Sequence, residues 1–95
     1  MKLYKKYLKE GFSFSNLTTD VEILRTAIIA EYEAVNLYEH MSEISSNSKV
    51  KKTLLDISNE EKIHIGEFKY LLEILDKDHK NFLKKGEKEV KQNKR

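Results

Sequence analysis

The chain has 95 residues, enough for one small domain, with 39% hydrophobic and 36% charged residues and neither cysteine nor proline. Without cysteine, disulfides are excluded, so metal binding and self-association remain as the means to stabilise so small a core; a reducing, cytoplasmic setting suits such a chain. The net charge of +2 is uneven: residues 1–11 sum to +3 (four Lys, one Glu), 84–95 to +4 (six basic, two acidic) and 12–83 to −5 (eight basic, thirteen acidic). An acidic body attracts cations and argues against a nucleic-acid face on the main helices.

Residues 1–18 read as a basic segment and linker. Met1-Lys2-Leu3-Tyr4-Lys5-Lys6 is followed by no apolar run, so it is no secretory signal, and no stretch approaches the length of a membrane span. Gly11-Phe12-Ser13-Phe14-Ser15-Asn16 has linker composition, with Phe12 and Phe14 free to dock on the body or a neighbour.

Thr19-Asp20-Val21-Glu22 matches a capping box and predicts a helix running to about Ser45. Ser45-Ser46-Asn47-Ser48 is a short polar turn whose last residues can cap a second helix, predicted from Lys49 to Asp76. A third, shorter helix is predicted from about His79 to Val90, anchored by Phe82 and Leu83. The domain thus spans 19–90, with 91–95 a disordered basic tail. A turn so short makes the long helices antiparallel neighbours. The fold class is therefore all-α, a two-helix hairpin plus a short C-terminal helix, with a four-helix bundle completed by dimerisation.

Steps of four and three along the first helix give Val21, Leu24, Ile28, Glu31, Val35 and Tyr38; along the second they give Val50, Leu54, Ile57, Glu61, His64, Phe68, Leu71 and Leu75. Both rows are apolar seams, interrupted by Glu31, Glu61 and His64. Glu61 and His64 stand three apart, on one helical face, as in the Glu-x-x-His pattern of carboxylate-bridged metal sites. Glu31 precedes the turn by about as many residues as Glu61 follows it, so a uniform helical rise brings them to one height. The seams supply no Lys or Arg, and a buried carboxylate without compensation costs several kcal/mol. A divalent metal would supply the charge; mixed carboxylate and imidazole donors suit iron, manganese or zinc better than magnesium or calcium. The bland alternative puts both glutamates at the seam's edge in water, with His64 a satisfied core histidine. His40 and His79 read as surface residues.

One chain offers two carboxylates and one imidazole, whereas a bundle di-metal site takes four and two. Two hairpins meeting on a twofold axis complete the set, so the centre belongs to a homodimer.

Ile29-Ala30-Glu31-Tyr32-Glu33-Ala34-Val35-Asn36-Leu37-Tyr38-Glu39 and Leu54-Leu55-Asp56-Ile57-Ser58-Asn59-Glu60-Glu61-Lys62-Ile63-His64-Ile65-Gly66-Glu67-Phe68 resemble the encapsulated ferritins, half-sized ferritin-like proteins found with encapsulin shells. The resemblance covers about residues 20–85. It implies a ferritin-like bundle, ferroxidase activity (Fe²⁺ oxidised to Fe³⁺ with O₂ or peroxide) at a di-iron centre, dimers assembled into a ring, and iron stored within a cytoplasmic encapsulin compartment. Carried over by position, Glu31, Glu61 and His64 are the iron ligands, Tyr38 is the tyrosine beside the centre, and Glu33 is an acidic residue of a metal entry site. Ala30 stands where relatives can carry a second entry glutamate, and the Lys-rich C-terminus shows no apolar cargo-docking peptide. The rival reading, from another class, is a metal-free helical hairpin that self-associates as an interaction protein. Attachment to nucleic acid or membranes through the basic ends is disfavoured, because neither end shows aromatic interleaving.

Overall fold

A computed structural model describes residues 19–95; the expected basic segment and linker, 1–18, lie outside the described residues. Three helices follow in order: α1 (Asp20–Ile44), α2 (Ser48–Leu75) and α3 (Lys77–Lys91).

Each start is set by a side-chain cap. The Thr19 Oγ1 accepts the Glu22 backbone N–H at 3.1 Å and donates its hydroxyl to the Glu22 carboxylate at 2.9 Å, closing α1 as the sequence predicts. Asn47 Oδ1 accepts from the backbone N–H groups of Lys49 and Val50 at 3.0 and 3.1 Å, so α2 begins one residue earlier than expected. Asp76 alone separates α2 from α3; its Oδ1 accepts the His79 N–H at 3.0 Å, which lets α3 start at Lys77 rather than His79. Gly86 does not interrupt α3. Of residues 91–95, expected as a disordered basic tail, Lys91 is the last residue of α3, and 92–95 are exposed and carry a C-capping turn. Asn93 adopts φ 57°, with Lys94 N–H on Glu89 O at 2.9 Å and Asn93 N–H on Val90 O at 3.1 Å.

The hairpin packs along one line of each helix. In α1 the predicted row holds: Val35 is buried and Val21, Leu24, Ile28, Glu31 and Tyr38 are half-buried, with Ser42 extending the line toward the turn. In α2 the predicted row is turned too far round. Its buried residues are Ser58, Ile65 and Leu72, interleaved with Leu54, Glu61 and Phe68, whereas Val50, His64, Leu71 and Leu75 are exposed. The two rows share Leu54, Glu61 and Phe68 and lie about 40° apart on a helix turning about 100° per residue. Apolar residues occupy both rows, so periodicity alone could not choose the one facing α1.

The excess apolar row has a consequence. Only Val35, Ile65 and Leu72 are buried hydrophobics among the described residues, while fifteen large hydrophobics are exposed. On one flank of the hairpin, Leu71, Leu75 and Val50 of α2 lie beside Ile23, Leu37 and Met41 of α1, all between 39% and 54% exposed. The other flank is bridged by the Arg25–Asp76 and Lys62–Glu39 ion pairs. A patch of this extent is unusual on a solitary soluble chain. No helix among the described residues is long and apolar enough to cross a membrane.

Candidate metal centre

Glu31 sits near the middle of α1 and Glu61 near the middle of α2, where the turn geometry brings them to the same height. His64 follows Glu61 by three residues and stands beside it on the apolar flank. The His64 Nδ1 lies 3.4 Å from Glu31 Oε2 and 3.6 Å from Glu61 Oε2. One ligand atom from each of the three residues lies within 4.8 Å of the others, the spacing a single cation can bridge. The side chains of Glu31 and Glu61 are 20% and 19% exposed and that of His64 is 46% exposed. His64 is thus a residue of the open flank and not of the hairpin seam; the rotation of α2 described above places it there.

Charge around the cluster is one-sided. Among the described residues, the only ion-pair partner of Glu31 or Glu61 is His64, which balances one negative charge at most and only when protonated. The neighbouring cations are engaged elsewhere. Arg25 bonds Asp76 at 2.8 Å, and Lys62, next to Glu61 in sequence, turns to the opposite flank to meet Glu39 at 2.8 Å. Two mostly covered carboxylates with one imidazole fit a divalent transition metal in donor type and charge. A cation held by these three residues would have only three protein donors from this chain, and a second copy against the uncovered flank could contribute the rest.

Two expected site residues are not brought into this cluster. Tyr38 is half-buried on the same side of α1, but two turns, about 10 Å, from Glu31. Glu33 lies two residues past Glu31, about 200° around α1, and points to a different side. His40 is exposed and His79 half-buried, and neither joins a cluster among the described residues.

Sequence reasoning missed a brace on the opposite flank. Ser58, fully buried, donates to Glu39 Oε2 at 3.3 Å, and the same oxygen receives Lys62 Nζ. Lys62, through its hydrogen bond and charge, holds the Glu39 carboxyl below the usual glutamate range, with Ser58 assisting. The available signal was Ser58 itself, a small polar residue at a spacing otherwise filled by Leu54, Glu61 and Ile65.

An antiparallel helical hairpin with an intrahelical Glu-x-x-His and a facing glutamate, open on its apolar flank, defines a ferritin-like half-bundle. The chain belongs to the rubrerythrin family, whose model matches residues 22–95. It is 53% identical over 72 residues, 76% of its length, to the "Ferritin-like-encapsulin shell fusion protein" of Pyrococcus furiosus, of which it spans only 21%. It also matches the crystal structure of an encapsulated ferritin domain from Pyrococcus furiosus with TM-score 0.75 and 44% identity, covering 85% of this chain and 91% of that one. The expected all-α fold and the resemblance read from the two motifs are both borne out.

Proposed function

We propose that this protein is a ferroxidase that oxidises Fe²⁺ to Fe³⁺ at a di-iron centre completed across a homodimer. The observation that carries the proposal is the convergence of Glu31, Glu61 and His64 within 4.8 Å on an apolar flank that the chain itself leaves uncovered. Packing two copies flank to flank buries that surface and supplies four carboxylates and two imidazoles, the set a bundle di-metal site takes.

In this reading the glutamates hold the substrate Fe²⁺ ions and, as hard anions, favour the ferric product. The electron released by each ion passes to O₂ or peroxide. His64 from each chain supplies the nitrogen donor, and its ring is steadied by the two carboxylates within 3.6 Å. The family likeness gives Tyr38 a place beside the centre, although it lies two turns from Glu31 in this chain, and gives Glu33, on the other side of α1, the part of an ion-guiding carboxylate. Manganese or zinc can substitute for iron at such donors.

The Pyrococcus relative is named as a fusion to an encapsulin shell. By that likeness, the dimers of this chain form a ring and deliver ferric iron for storage in an encapsulin compartment of the cytoplasm. Native mass spectrometry with and without Fe²⁺ tests the core of the proposal. Two irons per dimer support it; a metal-independent dimer with no bound iron returns the chain to the interaction-protein reading.

A further inference from the structure

The elbow where α3 leaves α2 encloses a groove of about 400 Å³. One wall is α3, presenting Lys77, Lys80 and Lys84 on successive turns with Asn81 between them; the other, from α2, carries Tyr70 and Ile74, 66% and 53% exposed, with Glu73 between them. On a helix turning about 100° per residue Phe82 falls opposite the lysine row, so the lysines share one face of α3.

Positive charge outweighs negative in the groove: three lysines and one carboxylate, Glu73, line it. Every nearby carboxylate in an ion pair is committed to a cation outside the lysine trio. Glu73, in the groove, pairs with Lys69 at 2.9 Å; Asp76 is shared between Arg25 and the α3 cap; Glu87 pairs with Lys91 at 2.8 Å. Lys77, Lys80 and Lys84 make no ion pair among the described residues, although Lys80 is half-buried. Lys80 and Lys84 stand close enough to Glu73 to help hold its carboxyl below the usual range, behind Lys69 as the main cause. With Glu73 paired to Lys69, the excess positive charge of the groove favours an oxyanion there, held by charge-assisted hydrogen bonds.

The geometry points to a binding site for a small oligophosphate at this elbow. From Lys77 to Lys84 the helix rises about 10 Å, the reach of two or three linked phosphates rather than one. The ammonium groups act as point charges, the Asn81 amide adds a donor, and the Tyr70–Ile74 wall accommodates an organic group carried on the phosphates. The shared chemistry is a di- or triphosphate, whether inorganic or part of a nucleotide. The groove is separate from the Glu31–Glu61–His64 cluster, so it stands or falls independently of iron oxidation.

Isothermal titration of the metal-free full chain at near-physiological salt, with sodium tripolyphosphate, pyrophosphate, orthophosphate, ADP and a single-stranded oligonucleotide in turn, tests it. Saturable binding of one tripolyphosphate per chain is expected, about tenfold or more tighter than orthophosphate, and weakened about tenfold in Lys80→Gln/Lys84→Gln. Lys49→Gln/Lys51→Gln, which removes the same charge at the far end of the hairpin, should bind as the parent does. ADP binding tighter than pyrophosphate assigns the Tyr70–Ile74 wall to a base; equal affinity assigns the groove to the inorganic chain. Absence of saturation, equal weakening in the Lys49/Lys51 variant, or tighter binding of a single-stranded oligonucleotide than of tripolyphosphate would overturn the assignment.

Discussion

Nδ1 of His64 lies 3.4 Å from Oε2 of Glu31, although the two residues are 33 apart in sequence and on different helices. The contact is made at the open edge of the hairpin, where His64 still has 46% of its side chain exposed. The imidazole tautomer decides whether Nδ1 donates to that oxygen.

If that edge holds iron, Glu61→Ala and His64→Ala should each slow Fe²⁺ oxidation by more than about a hundredfold, beyond the roughly 10–100-fold that removal of a residue merely supporting a ligand costs. Stopped-flow absorbance of ferric product against time reads it. Unchanged rates in both variants would be incompatible with a ferroxidase centre here.

Metal and stability should be linked. Ions that bind only the folded, associated state stabilise it by about 2.7 kcal/mol at a hundredfold excess over Kd. A thermal melt with Fe²⁺ under anaerobic conditions should therefore shift upward, and a chelator should reverse the shift. The same experiment on Glu31→Ala/Glu61→Ala should show no shift.

Neighbouring leucines should behave in opposite ways. Leu72 is 2% exposed in the hairpin seam, so Leu72→Ala should cost about 2–5 kcal/mol of stability. Leu71, 48% exposed on the open flank, should tolerate replacement within one chain; Leu71→Lys should instead abolish dimerisation while leaving helix content intact. Sedimentation velocity and circular dichroism separate the two effects.

The Glu39–Lys62 brace should fail in acid. The Glu39 carboxyl is held low by Lys62, so its contribution to stability is fully present above the unfolded value, about 4.3, and is lost as pH falls through the lower folded value. The difference in melting temperature between the parent and Glu39→Gln should accordingly shrink on acidification below about pH 4.3. A difference that stays constant would mean that the ion pair contributes nothing.

Gly66 offers a gain. A Cβ built there meets nothing within 4 Å, so Gly66→Ala should stabilise α2 by about 1 kcal/mol, measured by denaturant unfolding.

Much of this was legible in the residue order because the deciding interactions are local. Thr19 and Asn47 announce both long helices, the polar turn forces them antiparallel, and equal distances from that turn bring Glu31 level with Glu61. What could not be read was the rotation of α2. Leu71 and Leu72, Ile57 and Ser58, His64 and Ile65 are adjacent candidates for the same contact. The choice depends on how Val35 and Ser42 pack across the interface, a long-range matter that spacing does not encode. The start of α3 escapes the sequence for a related reason: Asp76 reads as the end of one helix, and its second role as a cap depends on its own backbone angles. Glu33 and Tyr38 were placed by likeness to a family, and a single chain brings neither into the cluster.

Asp76 is the whole of the joint between α2 and α3. With no proline or glycine at that joint, nothing in the main chain obliges the path to bend; φ −134° and ψ 86° at one residue do it, held by a carboxylate that grips the His79 amide with one oxygen and Arg25 with the other. Replaced by alanine, the strongest helix former, this position would let the two segments fuse into a single straight rod and carry the lysine face away from the body. The heading of the C-terminal arm is therefore written in one ionisable side chain and its guanidinium latch.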